Sequence, residues 1–237
     1  MGTNIELCAH MLKFIIPLIL IAAVSLEATA YKIGFVAGTF DPPHRGHEAM
    51  IRNAIRLLAL TEVVVIPNYE PSKKPNALEF SVRRTLSQAA FSYIPGVQVA
   101  NESLAKSFSE KGLVESLNAA ARRNPNVEIV QILGSDVFEN LKTKKIYFEK
   151  NITFAVQARD AGAPPAPLIF NGRRVYNLPA EPLALSSTKI RALLAKGELP
   201  GPELMNPDEL ELIRKMSLYQ SKRKKCSSLH VNFKEAG

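Results

Sequence analysis

The sequence predicts an α/β fold: a doubly wound parallel sheet with helices on both faces. Strand-like and helix-like segments alternate along the chain, the pattern of parallel strands joined by helical crossovers. The strand-like segments are short, continuous apolar runs such as Val63-Val64-Val65-Ile66, as expected of strands covered on both faces. A glycine- and proline-bearing turn, Gly38 to His47, hands the first run to a helical pattern. Sheets of this kind bind their ligands beyond the carboxyl ends of the strands, where that turn lies. A chain of 237 residues is long enough for one such domain with a sizeable core.

The elements follow in order. The first strand runs from Lys32 to Gly38, and the helix after it offers Met50, Ile51, Ile55, Leu57 and Leu58 for an inner face. Glu62 to Pro67 is the second strand. Asn68 to Leu78 is a loop rich in proline and lysine, holding Tyr69, Pro71, Ser72, Lys73 and Lys74. Ser81 is the expected N-cap of a helix through Phe91 that carries Arg83 and Arg84. Val97 to Val99 is a short third strand, and a helix from Leu113 to Arg123 stops at Asn124-Pro125. Glu128 to Leu133 is the fourth strand, closing in Gly134-Ser135-Asp136 before a short helix to Leu141. Ile152 to Gln157 is the fifth strand, 161–167 a loop, and Arg174 to Leu178 the sixth strand. A helix opened by Ser186-Ser187-Thr188 stops near Gly197, and a last one covers Pro207 to Tyr219. A parallel sheet then places the Gly38 loop, the Gly134 loop and the Ser186 turn on one rim.

Composition bounds the function. The net charge is +8, but residues 221–237 hold Lys222, Arg223, Lys224, Lys225 and Lys234 against Glu235 alone. Basic character is therefore partly a solvated tail. The rest lacks the aromatic interleaving of a single-strand platform, so nucleic acid is not the expected partner. The cysteines are Cys8 and Cys226, which build neither a disulfide framework nor a zinc cluster. No repeat marks a solenoid.

The first thirty residues stand apart. Lys13, the apolar run Phe14 to Val24 and then Ala28-Thr29-Ala30 read from Met11 as an export signal, with cleavage leaving Tyr31 in front of the first strand. An uncleaved anchor giving membrane association, or an apolar helix packed on the domain, is the alternative. The domains expected are 1–30 as signal or anchor, 31–220 as the folded unit and 221–237 as the basic tail. The location expected is exported or periplasmic, or cytoplasmic if the start is misassigned.

The chemistry is carried by Gly38-Thr39-Phe40-Asp41-Pro42-Pro43-His44-Arg45-Gly46-His47. Gly38 and Gly46 are expected to let a ligand approach the backbone, and Pro42 and Pro43 stiffen the turn. His44 and His47 fall at the helix start, where free amides and the helix dipole already favour an anion. Two imidazoles there make a phosphate pocket. No third histidine or cysteine stands near enough for a metal site of the protein's own, and the stretch is neither a Walker loop nor Gly-x-Gly-x-x-Gly. The Ser186 turn makes a second anion site. Lys189 and Arg191 at a helix start oppose the dipole unless a negative group sits there.

The first stretch resembles the Gly-x-Phe-x-Pro-x-His-x-Gly-His signature of the nucleotidylyltransferase superfamily, and Ser186 to Arg191 resembles its second signature, Ser-Ser-Thr-x-Ile-Arg. With the Pro71-Ser72-Lys73 loop, Gly134-Ser135-Asp136 and the ending Ser217-Leu218-Tyr219, the order from Lys32 to Tyr219 is similar to that of bacterial nicotinate-nucleotide adenylyltransferases. The resemblance implies a Rossmann-like sheet of the HIGH type. It implies small-molecule nucleotides as ligands, ATP as donor and magnesium as helper. The phosphate of nicotinate mononucleotide would attack the α-phosphorus of ATP, pyrophosphate leaving. His44, His47 and Arg191 are then the catalytic residues. Gly38, Thr39, Phe40, Gly46, Gly134, Asp136, Ser187 and Thr188 hold the nucleotide, and Lys73, Arg84 and Tyr147 meet the acceptor. Two positions depart from the family: Ser72 replaces its histidine, and Lys144 stands where its ring-stacking tryptophan would be. Another phosphorylated acceptor, such as phosphopantetheine or a phospho-alcohol, stays open, as does an exported nucleotide-binding protein without turnover.

Overall fold

The computed structural model describes residues 31–72, 74–158, 162, 164–180 and 185–220. The signal-like segment, the basic tail and Lys73 lie outside the described residues. Among those described, no helix is long and apolar enough to cross a membrane.

The strands are β1 Lys32–Gly38, β2 Glu62–Pro67, β3 Val97–Val99, β4 Glu128–Gly134, β5 Ile152–Gln157, β6 Ile169–Phe170 and β7 Arg173–Leu178. The helices are α1 Arg45–Leu58, α2 Phe80–Phe91, α3 Glu102–Lys111, α4 Leu113–Arg123, α5 Ser135–Lys142, α6 Ser187–Lys196 and α7 Pro207–Lys215. The sheet runs β3-β2-β1-β4-β5-β7-β6, all parallel except the β6–β7 pair. Chain order reverses between β1 and β4, where Val36 pairs with Ile132. That reversal opens the crevice in which such sheets hold ligands.

Both faces are covered, as the continuous apolar strands require. Phe35, Ile129, Leu133, Phe154 and Val156 pack with Leu117 and Ala121 of α4 and Phe138 of α5 on one side. Val36, Val63, Val65, Val130 and Ile132 pack with Met50, Ile51, Ala54 and Leu58 of α1 on the other. A third cluster joins Leu86 of α2, Ile190 and Leu194 of α6 and Ile213 of α7.

Several local expectations need correcting. In α1 the inner face is Met50, Ile51, Ala54 and Leu58, whereas Leu57 points out at 49 % exposure. The helical period makes Ala54, not Leu57, the partner of Met50 and Leu58. Ser81 is not a cap: α2 begins at Phe80 after Glu79, with no side-chain cap bond. Helix α3 was not expected, because it buries only Ala105. Its signals were the Asn101 cap, whose side chain accepts from the Leu104 amide, and the stop at Gly112. The last helix ends at Lys215, and a turn then carries the chain to Tyr219.

Candidate active site

Strand β1 delivers the chain to the crevice, and the loop from Thr39 to His44 turns it into α1. Phe40 lies in the left-handed region at φ 50°, and its buried ring covers Gly38. A Cβ on Gly38 would come within 3.1 Å of that ring, and one on Gly46 within 3.1 Å of the His44 ring. Both glycines therefore sit tightly against the loop's own rings.

Side chains from distant elements hold the loop by its carbonyl groups. Arg83 of α2, 1 % exposed, donates to the carbonyls of Thr39 (2.9 Å), Asn68 (2.7 Å), Tyr69 (3.2 Å) and Leu78 (2.6 Å). Burial, against weaker attraction from Asp41, Tyr219 and Glu79, pulls the Arg83 guanidinium below the usual arginine value. From α6, Arg191 Nη1 donates to the Asp41 carbonyl at 2.5 Å and Ser187 Oγ to the Pro42 carbonyl at 2.8 Å. Ser186 is the true cap, accepting from the Lys189 amide. Arg191 Nη2 lies 3.3 Å from Thr188 Oγ1. The starts of α1 and α6 are therefore joined directly.

His44 is the extended N-cap residue of α1, and its ring stacks on that of His47, centroids 3.7 Å apart and planes 27° from parallel. The Phe40 ring meets His47 edge-on at 5.0 Å. Two imidazoles so close repel when both are charged, and a polyanion beside them offsets that repulsion. The start of α1 adds its dipole. Behind it, Glu48 is bound by Arg45 and by Arg52 at 2.8 Å. Burial pushes the Glu48 carboxyl up, but hydrogen bonds from Tyr93, Arg52 and Arg45 outweigh it and hold the group below the usual range.

Gly134 ends β4, the neighbour of β1, and Asp136 follows in the first turn of α5. The Asp136 carboxylate folds back over Gly134, 2.8 Å from where a Cβ would stand. Gln157, at the end of β5 and paired with Gly134, was missed from the sequence. Its Oε1 is buried with no hydrogen-bond partner among the described residues, and a polar residue closing an apolar strand was the available signal.

The acceptor residues fare differently. Lys73 lies outside the described residues. Its neighbours Ser72 and Lys74, with Tyr69, Phe80 and Arg83, line a hollow of about 300 Å³. Arg84 is engaged with the Ala100 carbonyl at 3.0 Å, beyond the end of β3. Tyr147 is not brought to this rim. It stands on the loop leading into β5, 63 % exposed, with its hydroxyl 3.1 Å from Glu149. The Asn118 side chain bonds both the Tyr147 carbonyl and the Glu149 amide, which fixes that loop beside α4.

The reversed sheet order, with stacked histidines and two helix starts at one rim, is the arrangement of an α/β nucleotidyltransferase, the class to which the comparisons point. The cytidylyltransferase-like family model matches residues 35–193, more than half of the chain, and the chain belongs to that family. It is 30 % identical over 171 residues to a protein of Methylibium petroleiphilum named a probable nicotinate-nucleotide adenylyltransferase, covering 70 % of this chain and 80 % of that one. A protein of the same name from Shewanella putrefaciens is 30 % identical over 220 residues, covering 80 % of this chain and all of that one (100 %). A Plasmodium falciparum nicotinic acid mononucleotide adenylyltransferase, complexed with APC, shares the fold at a TM-score of 0.59 and 17 % identity, covering 80 % of this chain and 97 % of its own. Within the family, the chain's kin are thus nicotinate-nucleotide adenylyltransferases.

Proposed function

We propose that the protein transfers the adenylyl group of ATP to the phosphate of nicotinate mononucleotide, forming deamido-NAD in NAD biosynthesis and releasing pyrophosphate. The stacked His44–His47 pair at the start of α1, tied through its loop to Ser187 and Arg191, is the observation that carries this reading. An acceptor phosphate oxygen forms a bond to the α-phosphorus while the bond to the β-phosphate oxygen breaks. The acceptor is already an anion, so no general base is needed. The site must align the two phosphates and stabilise the charge growing on the departing pyrophosphate.

In this reading His44, His47 and Arg191 stabilise that charge, with Ser187 and Thr188 beside them. Gly38, Thr39, Phe40 and Gly46 shape the loop, and Gly134 and Asp136 flank the nucleotide. Lys73 serves the acceptor in this reading, and the hollow lined by Ser72, Lys74 and Arg83 offers it room. Magnesium belongs to the reading as the ion that neutralises the triphosphate. Among the described residues no group of three His, Cys, Asp or Glu could hold a metal, so phosphate oxygens would supply most of its ligands. Residues 31–220 are read as the catalytic domain, and the segment before them as an export signal. Mass spectrometry of the native amino terminus decides the latter, with Tyr31 in front if the signal is removed.

The test is chromatographic. The chain is incubated with ATP, magnesium and nicotinate mononucleotide, and deamido-NAD and pyrophosphate are expected in equal amounts. Pyrophosphate release with phosphopantetheine or a phospho-alcohol, and none with nicotinate mononucleotide, overturns the acceptor.

A further inference from the structure

The side chains that hold the histidine loop come from α2, from α6 and from the end of the described chain. The Tyr219 hydroxyl donates to Asp41 Oδ1 at 2.7 Å, across 178 residues of sequence. Asp41 is 5 % exposed, and its carbonyl is the one that accepts from Arg191. One loop residue is therefore gripped on its carboxylate by the turn after α7 and on its backbone by α6. The following carbonyl, that of Pro42, is held by Ser187.

The turn that presents Tyr219 is not a relaxed one. Ser217 at φ 52° and Tyr219 at φ 60° both lie in the left-handed region. Residues other than glycine occupy it at a cost, and persist there where the surroundings over-determine the conformation. At the other end of the bond, Phe40 at φ 50° bears the same kind of strain one residue before Asp41. Burial, and after it the Asp41 carboxylate, push the Tyr219 hydroxyl upward, so it remains a donor throughout the neutral range.

We infer that Tyr219 is a positioning residue for the transfer reaction: through Asp41 it fixes the loop that ends in His44, and with it the alignment of the His44–His47 pair against Arg191 and Ser187. It touches no reacting atom. Releasing Asp41 from Tyr219 frees both the path from Phe40 to His44 and the carbonyl on which Arg191 rests. The histidine side and the α6 side of the rim then lose register together. Misplacement by a fraction of an ångström is enough to slow a reaction that depends on alignment. The inference rests on the function proposed above, but the clamp is measurable without turnover.

The test uses the full chain with Tyr219→Phe, Asp41→Ala and the double variant. Kinetics are followed with ATP and nicotinate mononucleotide, and the imidazole ring signals by carbon–proton NMR. The chain has four histidines, and single His44→Gln and His47→Gln variants assign the two that matter. Tyr219→Phe is expected to lower kcat about tenfold while KM for the mononucleotide stays within about twofold. It is expected to shift the His44 and His47 ring signals and leave the melting temperature within a few degrees. The double variant is expected to be no slower than Asp41→Ala alone, because both changes cut the same bond. An unchanged kcat, unmoved ring signals, or effects that multiply in the double variant overturn the inference. If the wild-type chain turns over no mononucleotide, the proposed function fails. The ring signals then judge the clamp alone, moved signals supporting it and unmoved ones overturning it.

Discussion

The two rims of the sheet hold their most engaged arginines differently. Where the strands begin, cations meet carboxylates: Lys32 pairs with Glu128 at 3.2 Å, and Arg122 with Glu115 at 2.6 Å and Glu149 at 3.2 Å. Where they end, Arg83 and Arg191 are hydrogen-bonded to backbone carbonyls instead. A carbonyl takes up the donor but leaves the formal charge in place. The stacked histidines and the starts of α1 and α6 stand at this second rim, where the proposed function sets a polyphosphate. In the proposed function an anion completes the finishing rim. Arginine thus makes ion pairs in one place and grips backbone in another, and only its partners tell the two uses apart.

Arg83 should break this contrast most severely. Arg83→Met keeps the buried stem but leaves the carbonyls of Thr39, Asn68, Tyr69 and Leu78 without their donor. It should cost roughly 3–5 kcal/mol of stability, read from urea midpoints. A loss below about 1 kcal/mol would mean that the loop holds itself. His47→Ala comes next: kcat should fall about 10²-fold or more with the melting temperature nearly unchanged, measured on a confirmed substrate. Near-normal turnover would remove the histidines from the mechanism.

Glu209 sharpens the contrast from behind the finishing rim. Its carboxylate is wholly buried, and burial, against weaker pulls from Arg45 and the Asn206 backbone, raises its carboxyl well above the usual range. The folded state therefore keeps the proton to higher pH than the unfolded state does. That advantage is full below the ordinary glutamate range and is lost as pH rises through the elevated folded value. Glu209→Gln should gain on the wild type as pH climbs from 5 to 8, by about 1 kcal/mol or more. A difference independent of pH would contradict it. The smallest effects belong to the starting rim. Lys32→Ala should cost less than about 1 kcal/mol and leave kcat alone, and Tyr147→Ala should leave KM for the acceptor within about twofold.

The alternating apolar runs made the sheet legible, because strands buried on both faces leave an unbroken signature in the chain. The loop from Gly38 to His47 and the Ser186 turn were legible for a different reason: paired histidines at one helix start, and Lys189 and Arg191 in the first turn of another, oppose the helix dipole unless an anion is present. What stayed hidden was pairing over distance. Nothing local in Ser217-Leu218-Tyr219 announces a hydroxyl aimed at Asp41, and nothing in Arg83 separates a buried clamp from the partly exposed Arg84 beside it. The glycines were legible as special positions, but the rings that crowd them were not, since those became neighbours only on folding. Tyr147 was misplaced because an aromatic following a rim helix looks the same whether its loop stays at the rim or runs on to the next strand's start. Helix α3, nearly all solvent-facing, lacked the apolar stripe that marks the others.

Calorimetric titration with a non-hydrolysable ATP analogue, in the wild type and in His47→Ala, Arg191→Gln and Lys32→Ala, tests most directly whether a polyphosphate lies on the finishing rim. Binding is expected to weaken at least about tenfold in the first two variants and to be unchanged in Lys32→Ala. Equal binding in all four proteins would contradict it.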